Sequence, residues 1–172
     1  MTNASLILGE LNDRDIDWMV TEGKRETIQA GAILIAENQP LDALYIVLSG
    51  SLNVSVASLG NQIVGKIGEG EVLGEMSFVD GRLPSATVQA AEDCYVLSIS
   101  RPLLSQKLEE DVLFSLRFYR AITKFLSSRL RATVNNLGCD ENTNLLPNKL
   151  PQNSLKTEQD NRLDWIMQRL SG

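Results

Sequence analysis

Between residues 24 and 100 the apolar positions come in short runs: ETIQA, AILIAE, ALYIVL, SLNVSVA, QIVGKI, SATVQA and CYVLSI, separated by Gly, Pro, Asn and Asp. Valine and isoleucine suit a pleated, half-buried surface, and runs recurring every ~8–12 residues between turn formers read as an antiparallel sandwich or barrel. Gly31 follows one run, Asn38-Gln39-Pro40-Leu41-Asp42 makes a turn, and Ser49-Gly50-Ser51 joins two alternating strands as a hairpin. Ser58-Leu59-Gly60-Asn61 turns the chain again. Ahead of the strands, Asn12 or Asp13 caps a short helix that carries Ile16, Trp18, Met19 and Val20 and ends near Gly23.

After Ser100 the period becomes helical. Pro102 stands where a first helical turn tolerates it, PLLSQKLEE makes a short helix, and a long helix runs from about Asp111 to Leu137, stopped by Gly138. Val112, Leu116, Tyr119, Thr123, Leu126, Leu130, Thr133 and Leu137 recur at spacings of four and three, a heptad seam. Phe114, Phe118, Ala121, Ile122 and Phe125 form a second apolar face. One face can pack on the strands while the seam meets a second copy, so a homodimer through residues 111–137 is expected. Arg117, Arg120, Lys124 and Arg131 share a further stripe, read as a solvated face or as a contact for an acidic partner or phosphate. Residues 139–172 begin with an Asn- and Gln-rich stretch holding Pro147 and Pro151, which reads as a flexible tail. The pattern there offers one short helix, 161–170, with Leu163, Ile166, Met167 and Leu170 on one side and Trp165 nearby.

The expected fold is therefore mainly β with flanking helices: an antiparallel, jelly-roll-like β-roll over 24–100, then a short and a long helix over 101–137. A chain of 172 residues suits one such domain, 1–138, plus its appendage. The net charge of -6 argues against a general nucleic-acid or anionic-membrane binder, which needs positive surface. No run approaches the ~18 apolar residues that span a bilayer. The N-terminal stretch turns acidic at once, unlike a secretory signal, so a cytoplasmic setting without membrane contact is expected. Cys94 and Cys139 read as buried or spare thiols. The chain has no histidine, which removes a Ser-His-Asp triad and a histidine-rich metal site. No catalytic residue, metal site or cofactor is expected, and no enzymatic activity.

One stretch interrupts the strand rhythm: Gly68-Glu69-Gly70-Glu71-Val72-Leu73-Gly74-Glu75-Met76-Ser77-Phe78, then Asp80-Gly81, then Pro84-Ser85-Ala86-Thr87-Val88. Its glycines let the backbone turn and approach something closely. Glu75 to Phe78 can make one helical turn whose free N–H groups face an anion, with Ser85 and Ala86 adding donors. Glu75 can accept hydrogen bonds from a sugar hydroxyl. The expected site is a phosphate cradle with a carboxylate beside it.

The order GEVLGEMSFVDGRLPSATV resembles the phosphate-binding cassette of cyclic nucleotide-binding domains, the modules of Crp/Fnr-type regulators, cyclic-nucleotide-dependent kinases and gated channels. The resemblance spans about residues 10 to 137, including Gly31 and the YIVLSGSLNV hairpin. It implies an eight-stranded β-roll whose cassette grips the cyclic phosphate and ribose while the long helix covers the base. It also implies cAMP or another cyclic nucleotide as ligand. Carried over by position, Gly74 and Glu75 match the family's Gly-Glu, whose carboxylate holds the ribose 2′-hydroxyl. Met76 and Ser77 match the start of the cassette helix, and Ser85 and Ala86 follow the phosphate-binding arginine. Thr133, in RLRATV, falls where the long helix touches the purine. The arginine position itself holds Pro84, which has neither charge nor N–H. A charge-assisted hydrogen bond contributes ~1.5–3 kcal/mol, so each one lost weakens binding by roughly ten- to a hundred-fold. Arg82, two positions earlier, reads as a surface loop cation.

Three readings follow. The leading one is a small-molecule sensor that reports through its long helix, with weak or altered nucleotide binding. A degenerate domain that serves as a dimerisation or interaction scaffold is the second. Third is a part in a Crp-type transcription system, although residues 139–172 carry no pattern for the helix-turn-helix domain such regulators place after the long helix. Two cysteines cannot supply the four ligands of an Fnr-like iron–sulfur cluster.

Overall fold

The computed structural model describes residues 4–137 and 155–171. Gly138, Cys139 and the rest of the expected tail up to residue 154, together with the side chain of Leu137, lie outside the described residues. Among the described residues there are eight strands: β1 (Lys24–Ile28), β2 (Ile33–Ile35), β3 (Ala43–Ser49), β4 (Leu52–Val56), β5 (Gln62–Ile67), β6 (Val72–Leu73), β7 (Thr87–Ala90) and β8 (Cys94–Ser100). They form two four-stranded sheets, ordered β1-β8-β3-β6 and β2-β7-β4-β5. Every pairing is antiparallel. This is the expected β-roll.

Strand β3 shows why the roll has two cores. Successive side chains point to opposite faces. Leu44, Ile46 and Leu48 enter a core shared with the helices, whereas Val47 joins Ile35, Leu52, Ile67, Leu73, Val88 and Cys94 inside the roll. At the β3–β4 corner Gly50 sits at φ +91°, and a Cβ there would lie 2.8 Å from the Cys94 sulfur. The buried Cys94 thiol donates to the carbonyls of Ser51 and Glu92, 3.2 and 3.1 Å away.

Six α-helices are described: α1 (Ala4–Glu10), α2 (Asp13–Glu22), α3 (Glu75–Asp80), α4 (Arg101–Glu110), α5 (Val112–Leu137) and α6 (Leu155–Leu170). Asn12 starts α2 with a capping box: its side chain accepts from the Asp15 amide, and the Asp15 carboxylate accepts from the Asn12 amide, both at 2.9 Å. The aromatic face of α5 is buried as expected. Phe114 and Phe118 stack with centroids 5.9 Å apart, and Trp18 meets Phe114 edge-on at 5.3 Å. Fully burying a side chain of this size contributes ~1.5–3 kcal/mol, so this row is what anchors α5 to the roll. The heptad seam points the other way. Val112, Leu116 and Leu130 are 75, 67 and 65% exposed, Tyr119 is half exposed, and only Leu126 leans on the core.

Three sequence-based expectations need correction. Helix α1 is not expected at all, because seven residues are too short to hold a helix alone. Tertiary contact makes it: Ile7 and Leu8 are buried against the helical core. The basic stripe of α5 is solvated at Arg120, Lys124 and Arg131, but three of its four cations are already paired and not free for a partner. Arg117 forks onto Asp15, with Nε–Oδ2 at 2.6 Å and Nη2–Oδ1 at 2.7 Å, and Arg120 and Lys124 both pair with Glu10. Arg131 alone of the four stays an exposed cation with no described partner. The short helix expected at 161–170 within the tail begins earlier, at Leu155, and is docked on the body. Ile166 is buried in the helical core, Leu163, Met167 and Leu170 lean on it, and Arg162 donates to the carbonyls of Leu8 and Leu11 that end α1.

Candidate functional site

After β5 the chain folds back on itself. The Gly68 amide donates to Glu71 Oε2 at 2.7 Å, and Gly70 donates to the Val47 carbonyl at 2.7 Å, which sets β6 beside β3. Gly74 then takes φ +85°. A Cβ at this position would lie 2.7 Å from the Leu41 side chain and 3.0 Å from the Ala43 carbonyl, so both conformation and space require glycine. The turn launches α3, which Gly81 closes at φ +71°. Residues 82–86 then lead back into β7, held on the way by the Asn38 amide, which donates to the Pro84 carbonyl at 2.9 Å.

These segments enclose a cavity of about 190 Å³ over the apolar interior of the roll. Its floor is Ile35, Val54, Ile67, Leu73 and Val88. Gly74, Glu75, Met76, Ser77, Ser85 and Ala86 all line it, so six of the seven expected site residues converge. Ser77 is buried; Met76 and Ser85 are exposed at the rim. Thr133 does not join them. It is exposed on α5, and its hydroxyl donates back to the Arg129 carbonyl at 3.0 Å. Four residues past Arg129 is ~6 Å further along a helix, beyond the cavity.

Arg129, which no sequence pattern singled out, completes the wall. Its Nη1 donates to Glu75 Oε1 at 3.0 Å, from a helix 54 residues further along the chain. The carboxylate of Glu75 is almost fully buried. Burial raises its pKa above the usual 4.5, and Arg129 opposes this only in part, while the nearby Glu71 charge adds to the rise. A signal for Arg129 did exist: it continues the Phe118–Ile122–Phe125 face at the next helical repeat, and its guanidinium lies 5.4 Å from the Phe125 ring. Pro84 lines the cavity where the cation was missing. Arg82 also reaches it, but its side chain is 86% exposed and 3.9 Å from Asp80.

The site is fastened to the helical layer at three points. Besides the Glu75–Arg129 pair, Phe78 of α3 meets Phe118 of α5 edge-on at 5.9 Å, and Arg101 of α4 donates to the Ser77 carbonyl at 2.9 Å. Among the described residues no group of His, Cys, Asp and Glu could hold a metal ion. No described helix is long and apolar enough to cross a membrane.

Comparison with known proteins agrees with this geometry. Residues 25–111, half of the chain, match the family model described as the cyclic nucleotide-binding domain. An uncharacterized NTE family protein of Mycobacterium bovis is 28% identical over 120 residues, 70% of this chain and 20% of that protein. The cGMP-dependent 3',5'-cGMP phosphodiesterase A of Dictyostelium discoideum is 40% identical over 81 residues, 47% of this chain and 9% of that enzyme. The chain thus spans a fifth or less of these two relatives. Among solved structures, a cyclic nucleotide-binding domain from Methylobacillus flagellatus superposes with a TM-score of 0.71 at 21% identity, covering 84% of this chain and 86% of that one. With eight strands, a cavity at the cassette and a family match over the same residues, this chain belongs to the cyclic nucleotide-binding domain family.

Proposed function

We propose that the chain is a regulatory module whose cavity takes a small anionic ligand of the cyclic nucleotide class and reports it through α5. The observation that carries this reading is the Glu75–Arg129 pair, because one bond joins the cavity wall to the long helix. A ligand that engages Glu75 competes with Arg129 or pulls on it, and so binds unequally to different placements of α5. Such inequality is what shifts a conformational equilibrium. Binding is weak or altered in selectivity, since Pro84 offers no charge.

The exposed row Val112, Leu116, Tyr119 and Leu130 supports a homodimer as the output, with a second copy of α5 covering it. No residue is assigned a catalytic role; the enzymes among the relatives share only this segment with the chain. A cytoplasmic setting fits the free, buried Cys94.

Thermal unfolding with cAMP, cGMP and other nucleotides tests the reading, with molar mass in solution followed in parallel. Ligand near 100 times its dissociation constant adds about 2.7 kcal/mol of stability, a clear rise in melting temperature, and the mass should be twice that of the chain. A dimer without any nucleotide response favours the scaffold reading instead, which the proline at 84 already recommends.

A further inference from the structure

We propose that Arg129, carried by α5, is the cation that receives the ligand's phosphate in place of the arginine displaced by Pro84. The inference rests on the cyclic-nucleotide reading above. Two cations line the cavity, Arg82 and Arg129. Arg82 faces water beside Asp80, where a phosphate contact is screened. Arg129 is 34% exposed and stands over the apolar floor, where the same contact is stronger.

The geometry leaves it free to act. The hydrogen bond to Glu75 uses Nη1, and a guanidinium carries five N–H donors in a rigid fork. One prong can therefore keep the carboxylate while the others take an anion. The Phe125 ring below holds the group in place. Pro84, Ser85 and Ala86 stand in the same wall as the cassette. Arg129 lines the same cavity of about 190 Å³, so an anion resting against them shares one small pocket with it. A phosphate held this way is bonded to the helix and not only to the cassette, so occupancy and helix position become one event.

Calorimetric titration of the full chain with cAMP at low salt tests the assignment, using the wild type, Arg129→Gln and the double variant Pro84→Arg/Arg129→Gln. Glutamine keeps an N–H for Glu75 while removing the charge. If that variant lacks a cooperative unfolding transition, Glu75→Gln/Arg129→Gln replaces it, because it leaves no buried charge unpaired. The expected result is binding at least about ten-fold weaker in Arg129→Gln, recovered when arginine is placed at 84. Wild-type affinity in Arg129→Gln overturns the assignment. A loss that Pro84→Arg does not recover overturns it too, since that marks a structural role. Absence of any cAMP binding by the wild type at about 1 mM defeats the cyclic-nucleotide reading itself, and the assignment with it.

Discussion

Helix α5 carries two arginines that each pair with a buried carboxylate, and the two pairs are built differently. In the helical layer Asp15 meets Arg117 through two bonds of 2.6 and 2.7 Å, and the same carboxylate also accepts from the Asn12 amide. The hydrogen bond that Arg117 donates to Asp15 raises the pKa of Arg117. At the cavity Glu75 meets Arg129 through a single bond of 3.0 Å, and burial outweighs the cation in setting its pKa. The first pair saturates its carboxylate and fastens α2 to α5. The second leaves donors unspent beside a cavity. A closed pair holds a fold together; an open one is where a ligand can intervene.

The contrast has measurable edges. The largest effect is expected from Arg117→Met, which strands a carboxylate that is 4% exposed. Leaving such a charge unpaired costs about 3–5 kcal/mol, seen as a drop of about 10 °C in melting temperature. Glu75→Gln should instead act through pH. The folded-state pKa of Glu75 is raised, so its contribution to stability is full below pH 4.5 and is lost as pH rises through the folded value. Melting curves from pH 4 to 8 should show the wild type losing more stability across that window than Glu75→Gln; equal slopes would refute the open-pair description. The smallest effect belongs to Lys124→Ala. Its partner Glu10 is shared with Arg120 and the lysine is 44% exposed, so denaturant titration should move by less than about 1 kcal/mol.

Much of the architecture is legible in the residues because it depends on neighbours close in the chain. The β3 alternation, the aromatic face of α5, the Asn12 cap and the glycine demanded at 74 are all set within a few positions. The six cassette residues converge for the same reason: one continuous segment builds their wall. What escapes is long-range. Helix α1 exists only through packing, α6 is recognised as part of the body only once Ile166 finds the helical core, and the basic stripe loses its freedom to acids from the first fifteen residues. Arg129 escapes because its partner lies 54 positions away. Thr133 stands outside the cavity lining because a helix face is easier to infer than how far along the helix the cavity extends.

The two-faced strand β3 has a mechanical consequence. Sliding it by one position would send Leu44, Ile46 and Leu48 into the roll and Val47 out among the helices, exchanging the two interiors at once. A slip of this strand by one position is therefore strongly disfavoured. On the proposed reading, occupancy would then be reported by α5 moving against the sheets, through its bond to Glu75.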